Sequence, residues 1–122
     1  MPASRRPDPR GPDSVASVLR ALDGGSAPEP DELRVAVRYL LQLLAARYPG
    51  RALEVRIPPV AAVQCLPGPA HTRGTPPNVV ETDPVTWVLL AAGRTGWADA
   101  TGSGAVRASG PRADLGPYLP VV

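Results

Sequence analysis

The chain has no lysine and no phenylalanine, and it has one methionine (Met1), one cysteine (Cys65) and one histidine (His71). Each shortage excludes something. A single cysteine permits no internal disulfide and no cysteine-based zinc site. Without lysine there is no phosphate loop of the strand–GxxxxGK–helix kind, so Gly102, Gly104 and Gly110 read as turn glycines. Without Phe, and without Met beyond the first residue, few of the adaptable side chains that suit variable apolar ligands remain. No charge-free apolar run approaches the ~18 residues of a membrane span. Met1 to Pro12 contains no apolar region and does not read as a signal peptide. The net charge of +2 is too small to argue for nucleic acid, and no basic face interleaved with aromatics is visible. The expectation is a soluble cytoplasmic protein with no stable membrane insertion.

What is abundant is arginine, alanine, glycine and proline. All 13 basic residues are Arg, and there are 17 Pro and 12 Gly. This is the coding bias of a GC-rich genome, an actinobacterial one by expectation, so much of the proline and arginine needs no functional explanation. The length fits one domain. Residues 1–12 lack an apolar anchor and read as a disordered tail, leaving 13–122 as the single domain.

Hydrophobic spacing predicts the elements. Asp13 to Leu22 is a short amphipathic helix, capped by Asp13 or Ser14, with Val15, Val18, Leu19 and Leu22 on one face. Asp31 to Tyr48 is the longest helix. Leu33, Ala36, Val37, Leu40, Leu41 and Leu44 form its buried stripe, and Arg34, Arg38 and Gln42 run along the opposite side. Leu53 to Pro58 alternates as a half-buried strand, and Ala61 to Leu66 is a second candidate; whether the two pair directly is open. Pro67 to Pro77 is a long loop of the kind that tends to be functional or disordered.

Asn78 to Gly110 organises the rest. Asn78 to Thr82 is a strand. Asp83 is a helix N-cap, Pro84 suits the first turn, and Gly93 stops the helix. Between them Val85 to Ala92 is apolar everywhere except Thr86, so the helix is enclosed or faces something apolar other than water. Thr95 to Thr101 is a short helix or turn, Ala105 to Ser109 the last strand, and Arg112 to Leu119 a final short helix. Central strands with helices at both ends predict an α+β fold, an antiparallel-rich sheet with helices on one side.

Few residues suggest chemistry. The helix Val85 to Ala92 either lines a ligand tunnel or fills the core. Trp87 reads as a core anchor and Trp97 as a partly exposed wall at an opening. Cys65 near His71 has the ingredients of an activated thiol, but it is expected to point inward as a small hydrophobe, and no third group is evident. Arg73 either pairs with Glu81 or Asp83 to pin the loop, or joins His71 in binding an anionic head group. No catalytic residue, metal site or cofactor is assigned.

The order of an acidic cap, a Trp-bearing apolar helix stopped by Gly, an alanine-containing small-residue helix, Gly, a strand, Gly and an apolar end resembles the sterol carrier protein type 2 family. It is carried by Asp83, Trp87, Leu90, Gly93, Ala98, Ala100, Gly104, Val106, Gly110, Leu115 and Leu119, and it looks most like the small actinobacterial branch. HTRGTPPNVVETDP looks like a signature of that group. The stretch is also similar to the C-terminal domain of mycothiol-dependent maleylpyruvate isomerases. The resemblance implies a roughly five-stranded sheet covered by helices, an SCP2-like fold, with an apolar tunnel that holds lipids, acyl chains or sterols. By position it implies Val85, Val88, Leu89, Ala92 and Leu115 as lining, with Leu119 at the end. The expected function is non-enzymatic carriage of a small apolar or amphipathic ligand. The alternative is an interaction or enzyme-accessory module with a closed core.

Overall fold

A computed structural model describes residues 6–69 and 77–122. Helix α1 (Gly11–Asp23) and helix α2 (Pro30–Arg47) come first, then strands β1 (Leu53–Ile57), β2 (Ala61–Cys65) and β3 (Val79–Thr82). Helix α3 (Pro84–Ala91), helix α4 (Trp97–Gly102) and strand β4 (Val106–Ser109) follow, and a single 3-10 turn, Gly116–Tyr118, comes near the end.

The α+β class is as expected. The sheet, however, has four strands among the described residues, not five, in the order β2-β1-β3-β4. β1 and β2 pair directly as an antiparallel hairpin, with Val55 opposite Val63. β3 runs parallel to β1, and β4 antiparallel to β3. The chain between β2 and β3 is rich in Pro and Gly, which depletes it of ladder donors and strand formers.

One face of the sheet is apolar and meets the helices. Leu53, Val55, Ile57, Cys65, Val80 and Val106 join Val18, Val37, Leu40, Leu41 and Leu44 in one core cluster. The other face is solvated. There Arg107 donates to Glu81 (2.6 Å), and Arg56 pairs with Glu54. Such ion pairs contribute at most about 1 kcal/mol each.

Three local expectations shift. α1 starts two residues earlier than Asp13: Arg10 occupies the cap position without a side-chain bond, and Pro12 lies in the first turn, where its missing N–H is harmless. α2 is capped by Glu29, whose side chain accepts from the Glu32 N–H at 3.0 Å. The final helix shrinks to the 3-10 turn. Pro117 lacks the N–H that a longer helix would need at that position, while Asp114 accepts from the Gly116 N–H (2.9 Å).

Asn78, the sole asparagine, fastens three segments. It is 3% exposed. Its Nδ2 donates to the Ala52 carbonyl (2.8 Å), and its Oδ1 accepts from the Arg112 N–H (2.8 Å). The start of β1, the start of β3 and the segment after β4 are thereby tied together. Gly110 makes this approach possible: its φ is +102°, and a Cβ there would lie 2.3 Å from the Pro77 carbonyl oxygen. Truncating Asn78 leaves a buried carbonyl and an N–H without partners, which costs about 1–3 kcal/mol per group. Asn78→Ala is expected to lower unfolding free energy by about 2–4 kcal/mol in a denaturant titration. A loss below about 0.5 kcal/mol would show that the three segments are held by other means.

Candidate functional site

The site is built around α3. Asp83 caps it as the sequence predicts, accepting from the Thr86 N–H (2.9 Å) and from the Thr86 hydroxyl (2.7 Å). At the other end Gly93 has φ +74°. Its N–H reaches the Leu90 carbonyl at 3.1 Å, and the Arg94 N–H reaches Leu89 at 2.8 Å. This crossed pair closes the helix at a position that favours glycine. Arg94 then clamps Asp23 at the end of α1 through both carboxylate oxygens (2.6 and 2.7 Å).

Within those caps the helix is packed from several directions. Trp87 is 1% exposed, and its indole N–H donates to the Val37 carbonyl at 3.3 Å, so it anchors α3 to α2. The C-terminal strap closes another side. The Val121 N–H donates to the Ala91 carbonyl (2.7 Å), Arg47 holds the Val121 carbonyl (2.8 Å), and Tyr118 meets Tyr48 edge-on at 4.9 Å.

The candidate residues divide into groups. Val88 and Leu115 are both 0% exposed and belong to the core cluster. Val85, Leu89 and Ala92 are half-buried. Their i, i+4, i+7 spacing puts them on one face of the α3 turn of chain. None of the three is among the side chains packed on the core cluster, so they form an apolar stripe at the surface. Trp97 and Leu119 are partly buried and pack on the core. Trp97 lies against the strap, where a Cβ on Gly116 would stand 3.0 Å from the indole Cδ1. The structure therefore gathers Trp97, Leu115 and Leu119 at the strap and leaves the α3 stripe separate. His71 and Arg73 lie outside the described residues.

The chemistry around Cys65 is that of a core position. The side chain is buried, and burial pushes its thiol up to about 11 from 9.0. A thiol so shifted is neutral at physiological pH and is a poor nucleophile. Glu81 and Asp83 are already acceptors, for Arg107 and for the first turn of α3. Among the described residues no three potential metal-ligating side chains converge.

Three features escaped the sequence reading. A surface cleft of about 350 Å³ is lined by Ala52, Leu66, Pro67, Arg112, Asp114, Pro117 and Tyr118. Leu66, with φ +68°, is the one non-glycine residue in the left-handed region among those described. Gln42, read as lying on the polar side of α2, has its Oε1 buried without a hydrogen-bond partner. Helical spacing places Gln42 correctly on the rim, but it does not register that β2 passes beneath it.

An antiparallel-rich sheet with one helical layer, closed by an apolar helix and a C-terminal strap, defines a small α+β domain. The chain matches the family described as bacterial SCP ortholog over residues 29–121 and belongs to it, an SCP2-like bacterial family. The match begins at the cap of α2 and ends in the strap, so α3 and every described candidate residue fall within it. No curated protein is found to match the chain. No described helix is long and apolar enough to cross a membrane.

The alkaline behaviour of Cys65 is testable. Its pKa is higher in the folded state than in the unfolded one, so its contribution to stability is complete below about 9 and is lost as pH rises towards about 11. Wild type is expected to lose stability over that range more steeply than Cys65→Ala. Native Cys65 is also expected to resist a thiol reagent at neutral pH and to react on unfolding. Rapid native labelling would contradict the buried placement.

Proposed function

We propose that this chain is a non-enzymatic carrier of a small hydrophobic or amphipathic ligand of lipid, acyl or sterol-like type. The observation that carries the reading is α3 itself, in a family of carrier type: a helix without a polar side, with Val85, Leu89 and Ala92 half-buried and outside the core cluster. A single polar side chain on that stripe would have cost the fold little, yet all three positions are apolar. In this reading the ligand lies along α3, with Val88 and Leu115 behind it and Trp97 and Leu119 towards the strap. His71 and Arg73 are proposed for its head group. The proposed location is cytoplasmic, and no cofactor is invoked.

A second reading, an interaction or enzyme-accessory module with a closed core, is favoured by the complete burial of Val88 and Leu115. A fluorescent fatty acid such as 11-dansylaminoundecanoate separates the two. Under the carrier reading it binds, and Leu89→Asp weakens binding by about tenfold or more, since one charge against an acyl chain costs over ~1.4 kcal/mol. Because Leu89 is half-buried and lies outside the core cluster, the same change is expected to lower Tm only modestly. No binding by wild type, together with no added mass in native mass spectra of protein from its own host, would leave the closed-core reading standing.

A further inference from the structure

We propose that the edge of β2, which has no partner strand among the described residues, together with the Arg38–Gln42 turn of α2 above it, docks an extended segment of another protein that carries an acidic side chain. This rests on the opposite end of the sheet from β4 and is independent of the carrier reading.

The first observation is the edge. Among the described residues β2 ends the sheet, and its five residues Ala61–Cys65 pair one-to-one with β1, without a bulge. Within it there is no charge and no proline. Edge strands are ordinarily blunted by such devices, because a row of unpaired N–H and C=O groups templates another strand. The other edge, β4, carries Arg107.

The second observation is the roof. A cleft of about 320 Å³ lies between α2 and this edge, lined by Arg38, Leu41, Gln42, Ala61, Ala62 and Val63. The small side chains of Ala61 and Ala62 let a backbone approach closely. Gln42 Oε1, buried and unpartnered, is the one such side-chain atom among the described residues. An orphaned buried acceptor costs about 1–3 kcal/mol, which an incoming N–H would recover. Strand addition supplies that donor along with main-chain bonds to β2.

The third observation is charge. Arg38 is exposed and has no carboxylate partner among the described residues, and residues 1–5 and 70–76 contain no acid to supply one. Beyond the other end of the strand, Arg51 donates to Gln64 (3.2 Å) and is likewise without a carboxylate among the described residues. Two guanidiniums without a carboxylate among the described residues favour an acidic guest. A second copy pairing β2 on β2 does not provide one, since Ala-Ala-Val-Gln-Cys has no carboxylate.

The test uses the whole chain and two capped peptides, Thr-Val-Glu-Val-Thr-Val and the same sequence with Lys for Glu, followed by amide chemical shifts. The acidic peptide is expected to shift resonances across 61–65 and to bind roughly tenfold or more tightly than its Lys counterpart. Arg38→Glu, an exposed change, is expected to reverse that preference. Gln42→Leu is expected to raise Tm while weakening the acidic peptide, a combination that a purely structural glutamine would not give. The proposal is overturned by the absence of β2 shifts up to about 1 mM peptide, the weak end of specific affinity. It is equally overturned by equal binding of both peptides in wild type and Arg38→Glu, or by a concentration-dependent dimer abolished by Ala62→Arg. The last outcome would make a second copy the occupant.

Discussion

A helix with no polar side has to be enclosed, and most of this structure follows from that constraint on α3. Eight residues with one hydroxyl among them leave no face for water. α2 supplies one wall and accepts the Trp87 N–H through Val37, α1 is drawn in at the far end by Arg94 and Asp23, and the strap returns to satisfy Ala91. Each closure is polar as well as apolar: Trp87 needs an acceptor for its buried indole N–H, and the Ala91 carbonyl at the helix end needs the donor that the strap brings. The stripe at Val85, Leu89 and Ala92 is what this enclosure leaves over. It is the same remainder that makes a carrier function physically reasonable in a family of that type.

The sheet divides labour between its faces and its edges. Its inner face is continuous with the helical core, and its outer face carries Glu54, Arg56, Glu81 and Arg107 as a solvated ladder. Asn78 matters more than any of these ion pairs. It lies where three backbones converge without a ladder to pair them, and its amide supplies both the donor and the acceptor that are missing. The edges differ: β4 has a charged side chain, whereas β2 has none and lies beneath an overhanging helix turn.

Local signals in the sequence were read well where the physics is local. The α3 cap at Asp83 and the stop at Gly93 depend on residues within four positions, and both appear as expected. The buried stripes of α1 and α2 and the alternation of β1 follow from period alone. Misreadings came from competing local chemistry or from distant partners. Leu115 and Leu119 have helical spacing, but Pro117 between them removes a donor and leaves only one 3-10 turn. Arg38 and Gln42 lie on the polar side of α2 by period, and only the arrival of β2 buries one oxygen of Gln42.

The candidate site divides along the same line. That Val85, Val88, Leu89 and Ala92 are apolar and share a helix was fixed by the chain itself, since caps and composition are properties of adjacent residues. Which of them is core and which is surface was decided only when α2, the sheet and the strap met α3. Those contacts lie as far apart as Arg47 and Val121, and no periodicity reports them. By itself the sequence determined an enclosed apolar helix, a one-sided sheet and their order. Tertiary structure decided that Val88 and Leu115 face neighbours, that Val85, Leu89 and Ala92 stay half-buried outside the core cluster, and that β2 ends the sheet among the described residues. Burial is a property of what packs against a residue, and what packs here comes from the far ends of the chain.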